Sequence, residues 1–106
     1  MFEKLTRFET SDQTTPATAY YRNTYDQVKA AIYASAKEIG MNVKSHNDDH
    51  KEFLLRRNNV EIIITAFKIT IMETAIDLVV ITPILTPGKK VAERFLSIMK
   101  KHTQPK

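Results

Sequence analysis

The sequence predicts an α+β fold, a two-layer sandwich in which an antiparallel sheet carries two helices on one face. First, two segments, one early and one at the end of the chain, have the apolar spacing of amphipathic helices. Second, the chain between them consists of short apolar runs separated by turn residues, which is typical of antiparallel hairpins. Third, a length of 106 residues suffices for one core. We therefore expect the element order β-α-β-β-β-β-α.

The start of the chain is predicted to be an arm and linker over residues 1–16, followed by one α+β domain over residues 17–106. Glu9 to Pro16 is polar and rich in Thr, which is typical of a loop. Apolar side chains precede it at every third position, at Phe2, Leu5 and Phe8. This arm either frays or docks on the domain or on a second subunit.

The first helix is predicted to begin after Thr24, because Thr24 and Gln27 have the spacing of a capping box. Gly40 supplies the left-handed residue that ends a helix. The apolar face between them comprises Tyr25, Val28, Ile32, Ala36 and Ile39.

Asn58-Asn59 predicts a two-residue hairpin with both residues at positive φ. In that register Arg57 lies opposite Val60, and Arg56 lies opposite Glu61 as an oppositely charged pair. The predicted strands are Ala17 to Arg22, Met41 to His46, Lys51 to Arg57, Val60 to Ile71 and Ala75 to Thr82.

The last helix is predicted to begin with Thr86 as N-cap and Pro87 at the first helical position. Its apolar face comprises Val91, Phe95, Ile98, Met99 and His102. The apolar pattern stops there, before a short polar tail.

Several strands carry consecutive apolar residues and therefore have apolar groups on both faces. Two helices cover one face, so we expect the other face to be buried by self-association, most simply in a two-fold homodimer. A β-bulge with cover from the N-terminal arm is the alternative. The candidate interface residues are Phe53, Leu55, Ile62, Ile64, Val79 and Ile81.

The basic residues concentrate at the end of the chain. The formal net charge is +4, but the first 86 residues hold 10 Lys/Arg and 11 Asp/Glu, so the excess lies in the last helix. Its candidate anion or nucleic-acid contacts are Lys89, Lys90, Arg94, Lys100 and Lys101, with Tyr20, Tyr21 and Tyr33 as stacking candidates. The alternative is an ordinary solvated helix face.

Gly88 and two lysines at the start of this helix also fit an anion site, or a plain capped helix start. The segment lacks the upstream Gly and the downstream hydroxyl of a P-loop.

His46 to His50 contains two imidazoles and two carboxylates, which are metal ligands in other proteins. The same residues form a normal hairpin turn, which is the reading we adopt. We therefore expect no metal and no cofactor.

Nothing in the sequence indicates catalysis. The absence of Cys excludes a disulfide scaffold, a thiol nucleophile and a Cys-based metal site. Ser11, Ser35, Ser45 and Ser97 have no nucleophile motif around them. No signal peptide is evident and the apolar runs are too short to span a bilayer, so we expect a cytoplasmic protein without a membrane partner.

The stretches Tyr20 to Ala31 and Lys37 to Val43 resemble small bacterial α+β modules. In those modules a strand precedes a helix that starts with aromatic-Asp/Glu-x-Val, and a KExG helix end leads into a sheet and a last helix. The resemblance implies a topology similar to TATA-binding-protein-like or helix-grip folds, and it transfers no catalytic residue. This chain lacks the lipid-attachment Cys of envelope versions.

Together these observations predict a non-enzymatic interaction module that binds through protein contacts or a small apolar ligand and self-associates through the second sheet face. The alternative is a nucleic-acid-binding protein that uses the basic C-terminal helix.

Overall fold

The computed structural model describes residues 12–104 and confirms the predicted fold class and element order. The predicted N-terminal arm with Phe2, Leu5 and Phe8 lies outside these residues. The elements are β1 (Asp12–Tyr21), α1 (Tyr25–Ile39), β2 (Asn42–Asn47), β3 (Glu52–Arg57), β4 (Val60–Thr70), β5 (Glu73–Pro83) and α2 (Gly88–Met99).

The five strands form one antiparallel sheet in the order β1-β5-β4-β3-β2. Both helices pack on one face of it, and their buried side chains join those of the strands in a single core. Neither helix in the described part of the chain is long and apolar enough to cross a membrane.

Both ends of α1 are formed as predicted. The Thr24 hydroxyl accepts a hydrogen bond from the Gln27 amide at 3.2 Å, and the Gln27 side chain accepts one from the Thr24 amide at 3.1 Å. Gly40 ends the helix with φ at 84°. Val28, Ile32, Ala36 and Ile39 are buried, and Tyr25 is half-buried. Local capping therefore determines this helix.

β1 begins at Asp12, five residues before the predicted strand and inside the predicted linker. The Thr-rich segment pairs with β5, where Pro16 lies opposite Val79. Among the strands of residues 12–104, β1 lies at the edge of the sheet, and an edge position tolerates proline.

The β3–β4 hairpin has the predicted register, with Arg57 opposite Val60 and Arg56 opposite Glu61. Its turn differs from the prediction, because Asn58 has a positive φ of 55° and Asn59 does not. A positive φ at the first central residue alone is the sign pattern of a type II′ turn.

α2 begins one residue later than predicted, and its N-cap is Pro87, not Thr86. Pro87 has an extended backbone, with ψ at 96°, so it precedes the helix. The Thr86 carbonyl accepts hydrogen bonds from Gln13 Nε2 at 2.6 Å and Thr82 Oγ1 at 3.2 Å, which fasten the connection to β1 and β5.

The buried face of α2 agrees with the prediction at Phe95, Ile98 and Met99. Val91 is half-buried, whereas His102 is exposed beyond the end of the helix. The buried Ala92 was not predicted, because a small side chain adds little to an apolar stripe.

The predicted interface residues do not share one face. Phe53, Leu55, Ile62 and Ile64 are buried in the core beneath the helices, so their assignment to the uncovered face was wrong. Alternation along a strand separates two faces but does not say which one meets the helices. A β-bulge does not explain the apolar runs of β4 and β5, because their pairing is unbroken from Glu61 to Lys68. The other part of that alternative, cover from the N-terminal arm, lies outside the described residues.

Candidate functional site

The second face is the sheet surface that points away from the helices. Directly paired residues on neighbouring strands project to the same face, so the register defines its rows. From the β4–β5 turn onward the rows are Tyr20–Ala75–Phe67, Thr18–Asp77–Thr65–Glu52, Pro16–Val79–Ile63–Leu54 and Thr14–Ile81–Glu61–Arg56.

Apolar side chains on the second face remain accessible. The exposed fractions are 53% for Tyr20, 47% for Phe67 and 37% for Val79. Leu54 and Ile81 are buried, although they do not belong to the core beneath the helices. Of the predicted interface residues, only Val79 and Ile81 lie on this face, and only Val79 is exposed.

Three charged groups of the second face, Arg56, Glu61 and Asp77, have partners within the chain, and Asp12 and Glu52 lie on the same face by register. The predicted Arg56–Glu61 pair is formed, since Arg56 Nε donates to Glu61 Oε2 at 2.7 Å and Nη2 donates to the same oxygen. Thr18 Oγ1 donates to Asp77 Oδ1 at 2.9 Å. Burial of this face would therefore leave these groups with hydrogen-bonding partners, which removes the main penalty for covering a charge.

The His46–His50 segment forms a hydrogen-bonded turn. The Asn47 side chain accepts a bond from the His50 amide at 3.1 Å. His46 Nε2 donates to Asp48 Oδ1 at 2.6 Å, and Tyr33 Oη lies 3.0 Å from His46 Nδ1. Residues 12–104 contain no group of three or more His, Asp or Glu side chains that could hold a metal ion.

This turn is tied to α1. Asp48 also accepts bonds from Lys29 Nζ at 3.1 Å and from Tyr25 Oη at 3.2 Å. The bonds from His46 and then Lys29 lower the pKa of Asp48 from 3.8 to about 2. Burial, and then the bond to Asp48, raises the pKa of Tyr25 to about 12. The network therefore joins helix and turn rather than opening onto a substrate site.

The start of α2 borders a cavity of about 290 Å³ between the end of α1, the end of β3 and the first turns of α2. Lys90 and Arg94, both predicted as anion contacts, line it together with Arg57. The other walls are mainly apolar, from Ile39, Met41, Val60 and Val91 with Pro87.

The remaining basic residues of the last helix do not join this group. Lys101 pairs with Glu38, and this bond and one from His102 lower the pKa of Glu38. Lys100 lines a different cavity together with Tyr20 and Tyr21. Lys89 is exposed on the first turn of α2. The five predicted contacts therefore do not form one basic stripe.

The aromatic stacking candidates also separate. Tyr21 is buried, and burial raises its pKa to about 12. Tyr33 is partly exposed but has its ring edge against His46 and Phe53. Tyr20 lies on the second face, so no two of these tyrosines form a platform for successive bases.

Sequence reasoning missed Arg57 as a member of the cavity. Its predicted role was only that of the residue before the hairpin turn. In the fold its Nη1 donates to the Ile39 carbonyl at 3.2 Å, so it lies across the end of α1. Only the packing of β3 against both helices brings it near Lys90 and Arg94.

Comparison with known proteins gives no functional assignment for this chain. No protein-family model matches the sequence, and the curated proteins that were searched contain no match to it. The function must therefore be argued from the two surfaces described above, the second face and the cavity at the start of α2.

Proposed function

We propose that the chain is an interaction module that self-associates through the second face of its sheet, most simply as a two-fold homodimer. The observation that carries the proposal is the exposed apolar surface of Tyr20, Phe67 and Val79 on a face that the two helices do not cover. Exposed apolar side chains grouped on one uncovered face mark interaction sites.

A second copy is the partner whose shape fits. Two sheet faces stack at about 10 Å when their side chains interdigitate. A two-fold axis that runs along the strand direction would place the same rows of both copies against each other, so that apolar rows meet apolar rows. Glu61 and Asp77 have partners inside the chain, so these two carboxylates would stay hydrogen-bonded when both copies are covered.

The whole second face is close in size to what a stable dimer buries, and its exposed part is smaller because Leu54, Glu61 and Ile81 are already buried. A residue in a sheet occupies about 16 Å² of the face, from a rise of about 3.4 Å and a strand spacing of about 4.8 Å. Five strands of 6 to 11 residues therefore give a face of roughly 700 Å² per copy. Standard interfaces bury about 800 Å² per partner.

The test is sedimentation of the full chain across the micromolar range, with Val79→Lys as the disrupting variant. The side chain of Val79 is exposed in the monomer, so the substitution should leave the fold intact but introduce a charge from each copy into the apolar interface. We expect a concentration-dependent dimer for the wild type and a monomer for the variant. Leu85→Lys is the matched control, because Leu85 is 93% exposed in the connection before α2.

Salt provides a second readout. An interface formed by apolar burial should change little between about 50 mM and about 500 mM NaCl, whereas one formed by charges should weaken steeply. The proposal is wrong if the wild type stays monomeric at high micromolar concentration. It is equally wrong if Val79→Lys associates as tightly as Leu85→Lys.

A further inference from the structure

We propose that the cavity at the start of α2 binds a small organic anion with an apolar body, such as an aliphatic or aromatic carboxylate. This site is separate from the second face, because α2 and the end of α1 lie on the opposite side of the sheet. The proposal depends on the convergence of Arg57, Lys90 and Arg94 on one cavity.

Within residues 12–104 these three cations have no carboxylate partner. The ion pairs formed within residues 12–104 involve Lys29, His46, Arg56, Lys101 and His102, and none involves Arg57, Lys90 or Arg94. The cavity lining contains no Asp or Glu. Three like charges near one cavity repel one another, so an anion that enters relieves this repulsion and gains charge-assisted hydrogen bonds.

The rest of the lining selects an apolar body. Ile39, Met41, Val60 and Val91 form walls that a hydrated inorganic ion would not contact. The volume of about 290 Å³ is at the small end of known ligand pockets, which fits a short chain or a single ring. A ligand whose carboxylate lies at the rim and whose hydrocarbon part lies inside would contact both the cations and the apolar walls.

A nucleic-acid backbone fits less well. It would require the cations to follow a line, but Lys100 and Lys101 lie away from the cavity and Lys101 is already paired with Glu38. Phosphodiesters would also leave the apolar walls uncovered. The arrangement therefore favours one compact anion over a polymer.

The experiment is an amide NMR titration of the full chain with octanoate, octanol and acetate. With octanoate we expect saturable shifts near Arg57, Val60 and Lys90. Octanol lacks the carboxylate and acetate lacks the hydrocarbon chain, so each should bind at least about tenfold more weakly. Arg94→Glu and Lys90→Glu should each weaken octanoate binding about tenfold. Arg57 is left unchanged because its bond to Ile39 supports the end of α1.

Lys89→Glu is the matched control, since it makes the same charge change on the same turn of the helix outside the cavity lining. Equal weakening by Lys89→Glu and Lys90→Glu would overturn the proposal in favour of general electrostatic attraction. Octanol binding as tightly as octanoate, acetate binding as tightly as octanoate, or no saturable shift at all would also overturn it. The proposal would also be wrong if an oligonucleotide bound the chain and its binding depended equally on Lys89, Lys90 and Lys100, because these cations would then serve nucleic-acid binding.

Discussion

His46 holds together three parts of the molecule through one side chain. Its ring stacks on Phe53 with the centroids 4.8 Å apart and the planes at 12°. One ring nitrogen meets Tyr33 on α1 and the other donates to Asp48 in the turn. A residue that the sequence places in a possible metal cluster is therefore used to fix the turn against α1.

The decrease in the free energy of unfolding at low pH should depend on Asp48. Its pKa is lowered to about 2 in the folded chain, so the unfolded chain takes up this proton first as the pH falls. The stabilisation is complete above about pH 4 and is lost as the pH falls toward about 2. Asp48→Asn should therefore reduce the loss of stability over this range, as measured by urea denaturation at several pH values.

Asp49→Asn is the control for this experiment, because Asp49 is its exposed neighbour in the same turn. The pKa of Glu38 is also lowered, by Lys101 and then His102, so both variants should still lose some stability at low pH. Identical pH profiles for Asp48→Asn and Asp49→Asn would contradict the role assigned to the Asp48 network.

At the scale of elements, the two helices differ in what determines their ends. The ends of α1 are formed by residues next to it in sequence, Thr24, Gln27 and Gly40, and were therefore predictable. The start of α2 depends on Gln13 in β1 and Thr82 in β5, whose side chains donate hydrogen bonds to the Thr86 carbonyl. A local pattern cannot contain that information, and so Thr86 was misassigned as the cap.

This difference gives a direct comparison of two threonines. Thr24→Ala should lower the free energy of unfolding by about 1 kcal/mol, because the Gln27 amide loses its acceptor. Thr86→Ala keeps the carbonyl that Gln13 and Thr82 use, and Thr86 is not the N-cap of α2, so the substitution should change stability by less than about 0.5 kcal/mol. Urea denaturation of both variants measures this, and a larger loss for Thr86→Ala would contradict it.

At the scale of the whole molecule, the sequence did not predict which face of the sheet packs against the helices. The hairpin register was predictable because Asn58-Asn59 separates two clear strands. Phe53-Leu54-Leu55 and Ile62-Ile63-Ile64, however, present apolar side chains to both sides, so only the positions of the helices decide which side is the core. The cavity was hidden for a similar reason, since Arg57 and Arg94 meet only after packing.

Two phenylalanines test which face is the core. Phe53 is buried beneath the helices and Phe67 is half exposed on the second face. Phe53→Ala should lower the free energy of unfolding by about 3–5 kcal/mol, a large share of what a domain of this size has. Phe67→Ala should cost about 1 kcal/mol or less in the monomer.

Urea denaturation at sub-micromolar protein, which limits any contribution from association, measures both variants. Equal losses would mean that the second face is as well packed as the first, contrary to the exposed fractions of its side chains.

The pairing of the first strand with the last should make β1 the slowest part of the sheet to form. β2, β3 and β4 each meet the following strand through a short turn, whereas β1 must find β5 across the rest of the domain. Closing so long a loop costs chain entropy before its contacts form, and such non-local pairings slow folding. During synthesis β1 leaves the ribosome first and completes its pairing last, and until then β5 is an open edge that can capture another chain.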